Sequence, residues 1–320
     1  MDSQNSLSQA LELLFDGNNT LKEIDTIAKQ ISLKYRKNNN DGVRLVTSNR
    51  EAVAYALSRM PATYKAISSC IEQTIENNAF SVDTIGDFGA GTGAATWAAH
   101  DYFEDSKCFC MEREQEMINI GKSLMNGQTI ERNTEWYKFD ITSNKVDTKY
   151  DFVISSYMIN ELPENLVVDV VSKLWNATNK VLLIVEPGTP NGFSNILKIR
   201  DFLIGKGANV IAPCTHQNKC QLAKDDWCHF TCRVQRSKIH KILKDGTSPF
   251  EDEKYSYIAV SKKECVMAEN RILRHPIINK GYSEYKVCSK EGIKNIKLSK
   301  KDGAKYKVAK KKSAGDSLYI

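Results

Sequence analysis

The stretch that decides the fold is Thr84-Ile85-Gly86-Asp87-Phe88-Gly89-Ala90-Gly91-Thr92-Gly93-Ala94-Ala95-Thr96-Trp97-Ala98-Ala99. It passes from a short apolar run, through alternating glycines, into an alanine-rich run. That order predicts a strand, a tight loop and a helix. Glycine has no Cβ, so Gly89, Gly91 and Gly93 let the main chain come close to a ligand. The first turn of the helix leaves N–H groups free for a polar or anionic group. Downstream, strands are expected at Lys107 to Met111, Glu135 to Phe139, Tyr150 to Ser155 and Lys180 to Val185, and helices at Gln115 to Met125 and Glu164 to Asn176. Alternation of this kind predicts an α/β, Rossmann-like parallel sheet with right-handed crossovers.

Upstream, Leu7, Leu11, Leu14 and Phe15 share one helical face, and Leu21, Ile24, Ile27, Ile31 and Leu33 form a second at helical spacing. Asn38 to Gly42 reads as a loop. A third helical stretch runs from Arg50 to Asn78, with a break expected near Pro61. Beyond Gly205 the alternation fails. Residues 209–233 are rich in Cys and His, Tyr255 to Ser261 reads as a strand, and RILRHP, YSEYKVC and GIKNIKL read as short β segments. The expected organisation is a helical region over 1–79, a cofactor-binding core over 80–205, a Cys-rich β subdomain over 206–298 and a loosely held basic tail over 299–320.

The composition narrows the class. At 320 residues, 41% hydrophobic and 26% charged, the chain is long enough for a large core without disulfides. Collagen-like, fully disordered and mini-protein readings are excluded. Apolar runs such as Val181 to Val185 fall far short of the roughly 18 residues of a membrane span, so no membrane partner is expected. The net charge of +6 is uneven: residues 286–312 carry eleven Lys against Glu291 and Asp302, a local +9. Such a stripe suits nucleic acid, or is simply a solvated face. Asp2, Glu12 and Asp16 precede the first Lys at 22, unlike a signal or Arg-rich transit peptide, so a cytoplasmic location is expected. Nine Cys in that setting point to metal or catalysis before disulfides. A monomer is favoured.

Glu112 follows the second strand about twenty residues after the loop, where a carboxylate takes ribose hydroxyls. GAGTGA also fits a dinucleotide fingerprint. The run D-F-G-A-G-T-G, however, resembles the first motif of class I S-adenosylmethionine (SAM) methyltransferases, and Asp140 stands where those enzymes meet the adenine amine. The run from Tyr150 through Ser155 and Tyr157 to Leu162 resembles their fourth motif, which faces the methyl donor. The expected cofactor-binding residues are therefore Asp87, Gly89, Gly91, Gly93, Glu112, Asp140 and Ser155. Tyr157, Asn160 and Glu161 are the candidates facing the reacting group. No general base is identifiable, and the Asp/Asn-Pro-Pro-Tyr signature of base-amine methylation is absent. Ala212-Pro213-Cys214 looks like a cytosine-methyltransferase nucleophile but lies after the fifth strand, the wrong place for it.

Cys214, Cys220 and Cys228 are spaced C-x5-C-x7-C, with Cys232, Cys265 and Cys288 following. Clustered thiols in a loop are poor core residues and good ligands for zinc or an iron–sulfur cluster. His216 and His229 are alternative zinc donors. Spacing alone leaves the metal open.

The stretches LSRMPATYKA, DFGAGTGAATWAA, YMINELP, VEPGTPNGF, the block from Ile211 to Tyr257 with its APC, DDWCHF and EDEKYSY runs, and RHPIINKGYSEYKVC extend from Leu57 toward the C-terminus. They resemble the methyltransferase-like family of the small ribosomal subunit, found in bacteria and mitochondria. The resemblance implies a class I methyltransferase core carrying a [4Fe–4S] cluster on Cys214, Cys220, Cys228 and Cys288. Cys232 and Cys265 are then ordinary thiols, and Cys70, Cys108 and Cys110 belong to core elements. It further implies a role in small-subunit maturation and translation with ribosomal RNA as partner, to which Arg233, Arg236, Lys238 and His240 add basic surface. Two functions follow: methyl transfer from SAM to ribosomal RNA, or a non-catalytic assembly factor that binds SAM without turnover. A radical-SAM enzyme is disfavoured, because its C-x3-C-x2-C spacing is absent.

Overall fold

The computed structural model describes residues 3–15, 21–37, 46–222, 225–236, 241 and 248–320. Three helices lead the chain: α1 (Ser3–Leu14), α2 (Leu21–Lys37) and α3 (Asn49–Ile75). Then come β1 (Thr84–Phe88), α4 (Ala94–His100), β2 (Lys107–Glu112), α5 (Gln115–Met125), β3 (Thr134–Lys138), β4 (Tyr150–Ser156), α6 (Glu164–Asn176), β5 (Thr178–Pro187), α7 (Pro190–Gly205) and β6 (Asn209–Ala212). The chain continues with β7 (Phe230–Gln235), β8 (Phe250–Ser261), β9 (Asn270–Ile272), β10 (Ile277–Asn279), β11 (Tyr282–Ser289), β12 (Gly292–Ser299) and α8 (Ala304–Ala309). The expected loop at residues 38–42 lies outside the described residues.

The main sheet runs β3-β2-β1-β4-β5-β8-β6, with β7 added on β8. β1 to β5 are parallel, and β8 is antiparallel to both β5 and β6. An all-parallel dinucleotide-binding sheet has the order 3-2-1-4-5-6; here an antiparallel strand enters beside β5. The central strands are buried on both faces, so side chains of alternating direction enter two cores. Val181, Leu183 and Val185 face the core built with α3, α4 and α5, whereas Leu182 and Ile184 face the one built with α6 and α7. The result is a three-layer α/β fold.

Two expectations are corrected. α3 continues through Pro61 without a break. Proline removes one main-chain donor, and burial of Leu57, Met60, Tyr64, Ile67 and Ile71 along the helix outweighs that loss. The expected loose tail is also packed. β9, β11 and β12 form a second sheet with β10, and Tyr306, Ala309 and Leu318 close its core over Tyr285, Val287 and Leu298. The Leu318 amide donates to the Asn270 carbonyl at 2.9 Å, and Gly315 N donates to Ile272 O at 2.8 Å. Lysine stems cover such apolar surface while their ammonium groups stay in water, which is why a charged composition disguised a packed segment. Among the described residues no helix is long and apolar enough to cross a membrane.

Leu318→Ala tests the packed end. Removing a buried leucine is expected to cost about 2–4 kcal/mol, read as a lower urea midpoint with unchanged m value. A loosely held tail would leave the midpoint where it was.

Candidate functional site

The parallel strands β1 to β4 end on one edge, and the loops that follow them enclose a cleft of ≈ 790 Å³, its open mouth included. The glycine loop is pinned there by main-chain bonds. The Gly89 and Ala90 amides both donate to the Met111 carbonyl, at 2.9 and 3.1 Å. Gly91 lines the cleft at φ +57°, and a Cβ placed on it would meet no atom within 4 Å. Gly89 lines it too, but a Cβ there would lie 2.8 Å from the Met158 sulfur.

Glu112 follows at the end of β2. Its Oε2 accepts from the Gly91 amide at 2.8 Å and its Oε1 from the Glu114 amide at 2.9 Å. Each carboxylate oxygen keeps a further lone pair for a ligand hydroxyl. Burial raises the Glu112 pKa, opposed by those two amides. Asp140, after β3, also lines the cleft. Its Oδ1 accepts from the Thr142 amide at 2.9 Å and the Thr142 hydroxyl at 2.6 Å, which fixes the turn. Met111, Met117, Phe139 and Ile141 supply apolar walls.

Four of the expected residues do not line the cleft: Asp87, Gly93 and Ser155, which are buried, and Asn160, which is partly exposed. Asp87 is fully buried, with Oδ2 accepting from the Thr96 hydroxyl at 2.8 Å, and burial pushes its carboxyl up to about 7. It ties β1 to α4. Gly93 caps α4 at φ +90°. Ser155 sits inside β4 with its hydroxyl buried, and its neighbour Ser156 lines the cleft instead, because successive strand residues point to opposite faces. The Asn160 Oδ1 accepts from Asn191 Nδ2 at 2.9 Å.

Tyr157 and Glu161 do reach the cleft. Tyr157 holds φ +58°, a strained conformation for a bulky residue. Its hydroxyl donates to Glu253 Oε1 at 3.3 Å, and Arg59 lies 3.3 Å from the same oxygen. Burial holds the phenol well above its ordinary pKa, with the Glu253 charge adding to the rise. The phenol is thus a poor proton acceptor for chemistry in the cleft.

Glu186 was not anticipated as a site residue. It lies fully buried in β5, accepts from the Ile159 amide at 3.1 Å and takes a second amide bond from Asn160. Burial pushes its carboxyl up to about 8. It holds the loop carrying Tyr157 and Glu161. Val46 and Tyr55 also line the cleft; they come from the helical region, and no local pattern ties that region to the sheet.

The cysteines meet at a second cavity. Cys214, Cys220, Cys228 and Cys288 all line it, with His216, Arg200 and Arg271. Cys214 follows β6, Cys228 precedes β7 and Cys288 lies on β11. Arg200 holds the first loop, donating to the His216 and Asn218 carbonyls at 3.0 and 2.7 Å. Asp226 joins the second loop to the small sheet through Arg274 and, at 2.9 Å, Lys286. Burial pushes the Cys214 thiol up to about 11, and it raises the Cys228 thiol as well. Among the described residues, no three His, Cys, Asp or Glu side chains converge so as to hold a metal ion. The four thiols of the expected ligand set share this one cavity, brought there by loops from separate strands. His229 is not in its wall and stacks on Trp227 at 5.0 Å. Cys232 and Cys70 are buried between β7 and α3, Cys108 and Cys110 within β2, and Cys265 is partly exposed. Lys238 and His240 lie outside the described residues; Arg233 pairs with Asp252 at 3.0 Å and Arg236 with Glu251 at 3.3 Å.

The sheet order and the glycine-loop cleft define a class I SAM-methyltransferase fold of Rossmann-like type. The family model described as mitochondrial small ribosomal subunit Rsm22 matches residues 49–319, and the chain belongs to that family. It is similar to the human "Ribosome assembly protein METTL17, mitochondrial", 29% identical over 66% of this chain and 49% of that protein. It is also similar to the fission yeast (Schizosaccharomyces pombe) "Rsm22-cox11 tandem protein 2, mitochondrial", 22% identical over 83% of this chain and 43% of that protein. The chain spans about half the length of the curated relatives it matches. Among solved structures, a SAM-dependent methyltransferase from Aquifex aeolicus is similar at 12% identity, covering 68% of this chain and 99% of that one with TM-score 0.43. Nothing about ligand or reaction follows from that likeness. The expected cytoplasmic location is overturned: the family is described as mitochondrial and both named relatives are mitochondrial. Compartment addresses are read by receptors and leave no trace in the packing of a folded domain.

Glu186 carries a pH prediction. Its folded-state pKa is raised from 4.5 to about 8. Its contribution to stability is full below 4.5 and is lost as pH rises through about 8. Glu186→Gln is expected to gain about 2–4 kcal/mol on the parent protein across that window. Equal pH slopes in urea unfolding of the two proteins would show that Glu186 does not titrate as described.

Proposed function

We propose that the chain binds SAM in the cleft at the ends of β1 to β4 and acts on, or together with, the ribosomal RNA of the small subunit. The observation that carries this is that Gly91, Glu112 and Asp140, from three separate strand ends, line one cleft. Glu112 would take the ribose hydroxyls on its remaining lone pairs, and Asp140 with the Thr142 turn would meet the adenine edge. Gly91 leaves the space where a side chain would block entry. SAM supplies an electrophilic methyl group, so the protein's part is to position donor and acceptor. Glu186 and the Glu253–Arg59 pair hold the Tyr157-to-Glu161 loop that borders the open end.

For the cysteine cavity we infer a [4Fe–4S] cluster on Cys214, Cys220, Cys228 and Cys288. A four-iron cube is larger than one ion and is held by thiolates set apart around it, whereas zinc needs its ligands closed on one centre. Buried Arg200 and Arg271, 3% and 1% exposed, supply fixed positive charge beside four thiolates. When bound, such a group ties the loops around Cys214 and Cys228 to β11.

The test is methyl incorporation. Anaerobically purified protein, labelled SAM and small subunits from cells lacking the protein are expected to yield labelled RNA. Gly91→Asp is expected to weaken SAM binding by at least about tenfold, through loss of space and added negative charge beside Glu112. Cys288→Ser is expected to lower bound iron and bleach the charge-transfer absorption of the protein. Absence of label with SAM and subunit binding both intact would favour the non-catalytic assembly reading.

A further inference from the structure

Beyond the cleft and the cysteine cavity lies a basic surface that neither uses. Lys300, Lys301, Lys305, Lys307, Lys310 and Lys311 are all exposed, and none forms an ion pair with another described residue. The nearby acids are spent locally. Glu291 accepts from the Ser289 hydroxyl at 2.9 Å and pairs with Lys294 at 3.2 Å. Asp302 takes the Ser299 amide at 2.6 Å and hydroxyl at 3.0 Å as a capping box, and Lys305 acts on it only at longer range.

The backbone beneath these lysines is ordered. Tyr306 and Ala309 anchor α8 on the small sheet, and Leu318 locks the residues after it. The ammonium groups therefore project from a packed platform, and little chain entropy is lost when they engage a partner. Among the described residues of the platform, 300–311, the one aromatic side chain is Tyr306. Tyr306 is buried, and Tyr282 on β11 is covered by the Lys297 ammonium at 4.0 Å; Tyr319, 48% exposed, stands outside the platform and is tied by its hydroxyl to Asn77 Oδ1 at 2.8 Å. Single-strand binders pair basic grooves with stacking rings; phosphate contacts on a duplex need only cations.

We propose that the platform formed by α8 and the turn before it, after β12, docks the sugar–phosphate backbone of double-helical RNA without reading its sequence. This deepens the ribosomal reading above by naming the partner's form. It is tested on naked RNA, so failure of methyl transfer leaves it standing, and its own failure leaves the cleft untouched.

The experiment compares two triple variants of equal charge. One is Lys305→Gln with Lys307→Gln and Lys310→Gln. The other is Lys107→Gln with Lys122→Gln and Lys145→Gln, three exposed lysines elsewhere. Binding to a blunt RNA duplex of arbitrary sequence is measured against salt, with poly(U) and poly-glutamate as competitors. The platform triple is expected to weaken duplex binding by at least about tenfold and to reduce the slope of log K against log salt by about 2 to 3, while the control triple changes neither much. Equal losses in both triples, no loss in the platform triple, or preference for poly(U) or poly-glutamate over the duplex would overturn the proposal.

Discussion

The antiparallel pairing of β8 with β5, from Val181 opposite Ser261 to Pro187 opposite Tyr255, is the constraint on which the rest of the structure depends. A strand inserted there is hydrogen-bonded on both edges and buried at its C-terminal half, so its position is firmly determined. Its side chains then set their surroundings. Glu253 holds Tyr157 and Arg59, the Ser256 hydroxyl donates to the Cys228 carbonyl at 2.7 Å, and the Tyr257 hydroxyl donates to Gln73 of α3 at 2.6 Å. One strand thus connects the cleft loop, the cysteine cavity and the N-terminal helices.

β5 plays the complementary part. Glu186 near its end supports the loop bordering the cleft, and two residues on, the Gly188 carbonyl accepts from the Trp227 indole at 3.0 Å. The cleft and the cavity are therefore built from neighbouring positions on the same pair of strands. The unpartnered Oε2 of Glu186 and Oδ1 of Asp87 show where the fold keeps carboxyl groups out of water at a cost to stability. Asp87 precedes the cleft residue Phe88, and Glu186 holds the amides of Ile159 and Asn160 in the loop beside the cleft.

Local pattern made much of the core legible. Helix α6 was expected at the residues it occupies, and β1, β2, β4 and α5 within a residue or so, because period and glycine punctuation are properties of short windows. The glycine loop, Glu112 and Asp140 were legible because each follows a strand end in a parallel sheet. Ser155 was misplaced by one residue, the distance that turns a side chain to the opposite face. Glu186 was invisible as a site residue because its role depends on a loop 27 residues earlier in the chain. β6 was missed, being four residues long and recognisable only by its partner β8.

The sequence by itself determined the α/β class, the cofactor-type loop and the set of thiols, since these rest on residue chemistry and short-range periodicity. Only tertiary structure decided that α3 crosses Pro61 unbroken, that the lysine-rich end is packed, and that Cys288 shares a cavity with Cys214. Each of those outcomes depends on contacts between segments far apart in the chain. Burial energy summed over many such contacts outweighs any single local preference.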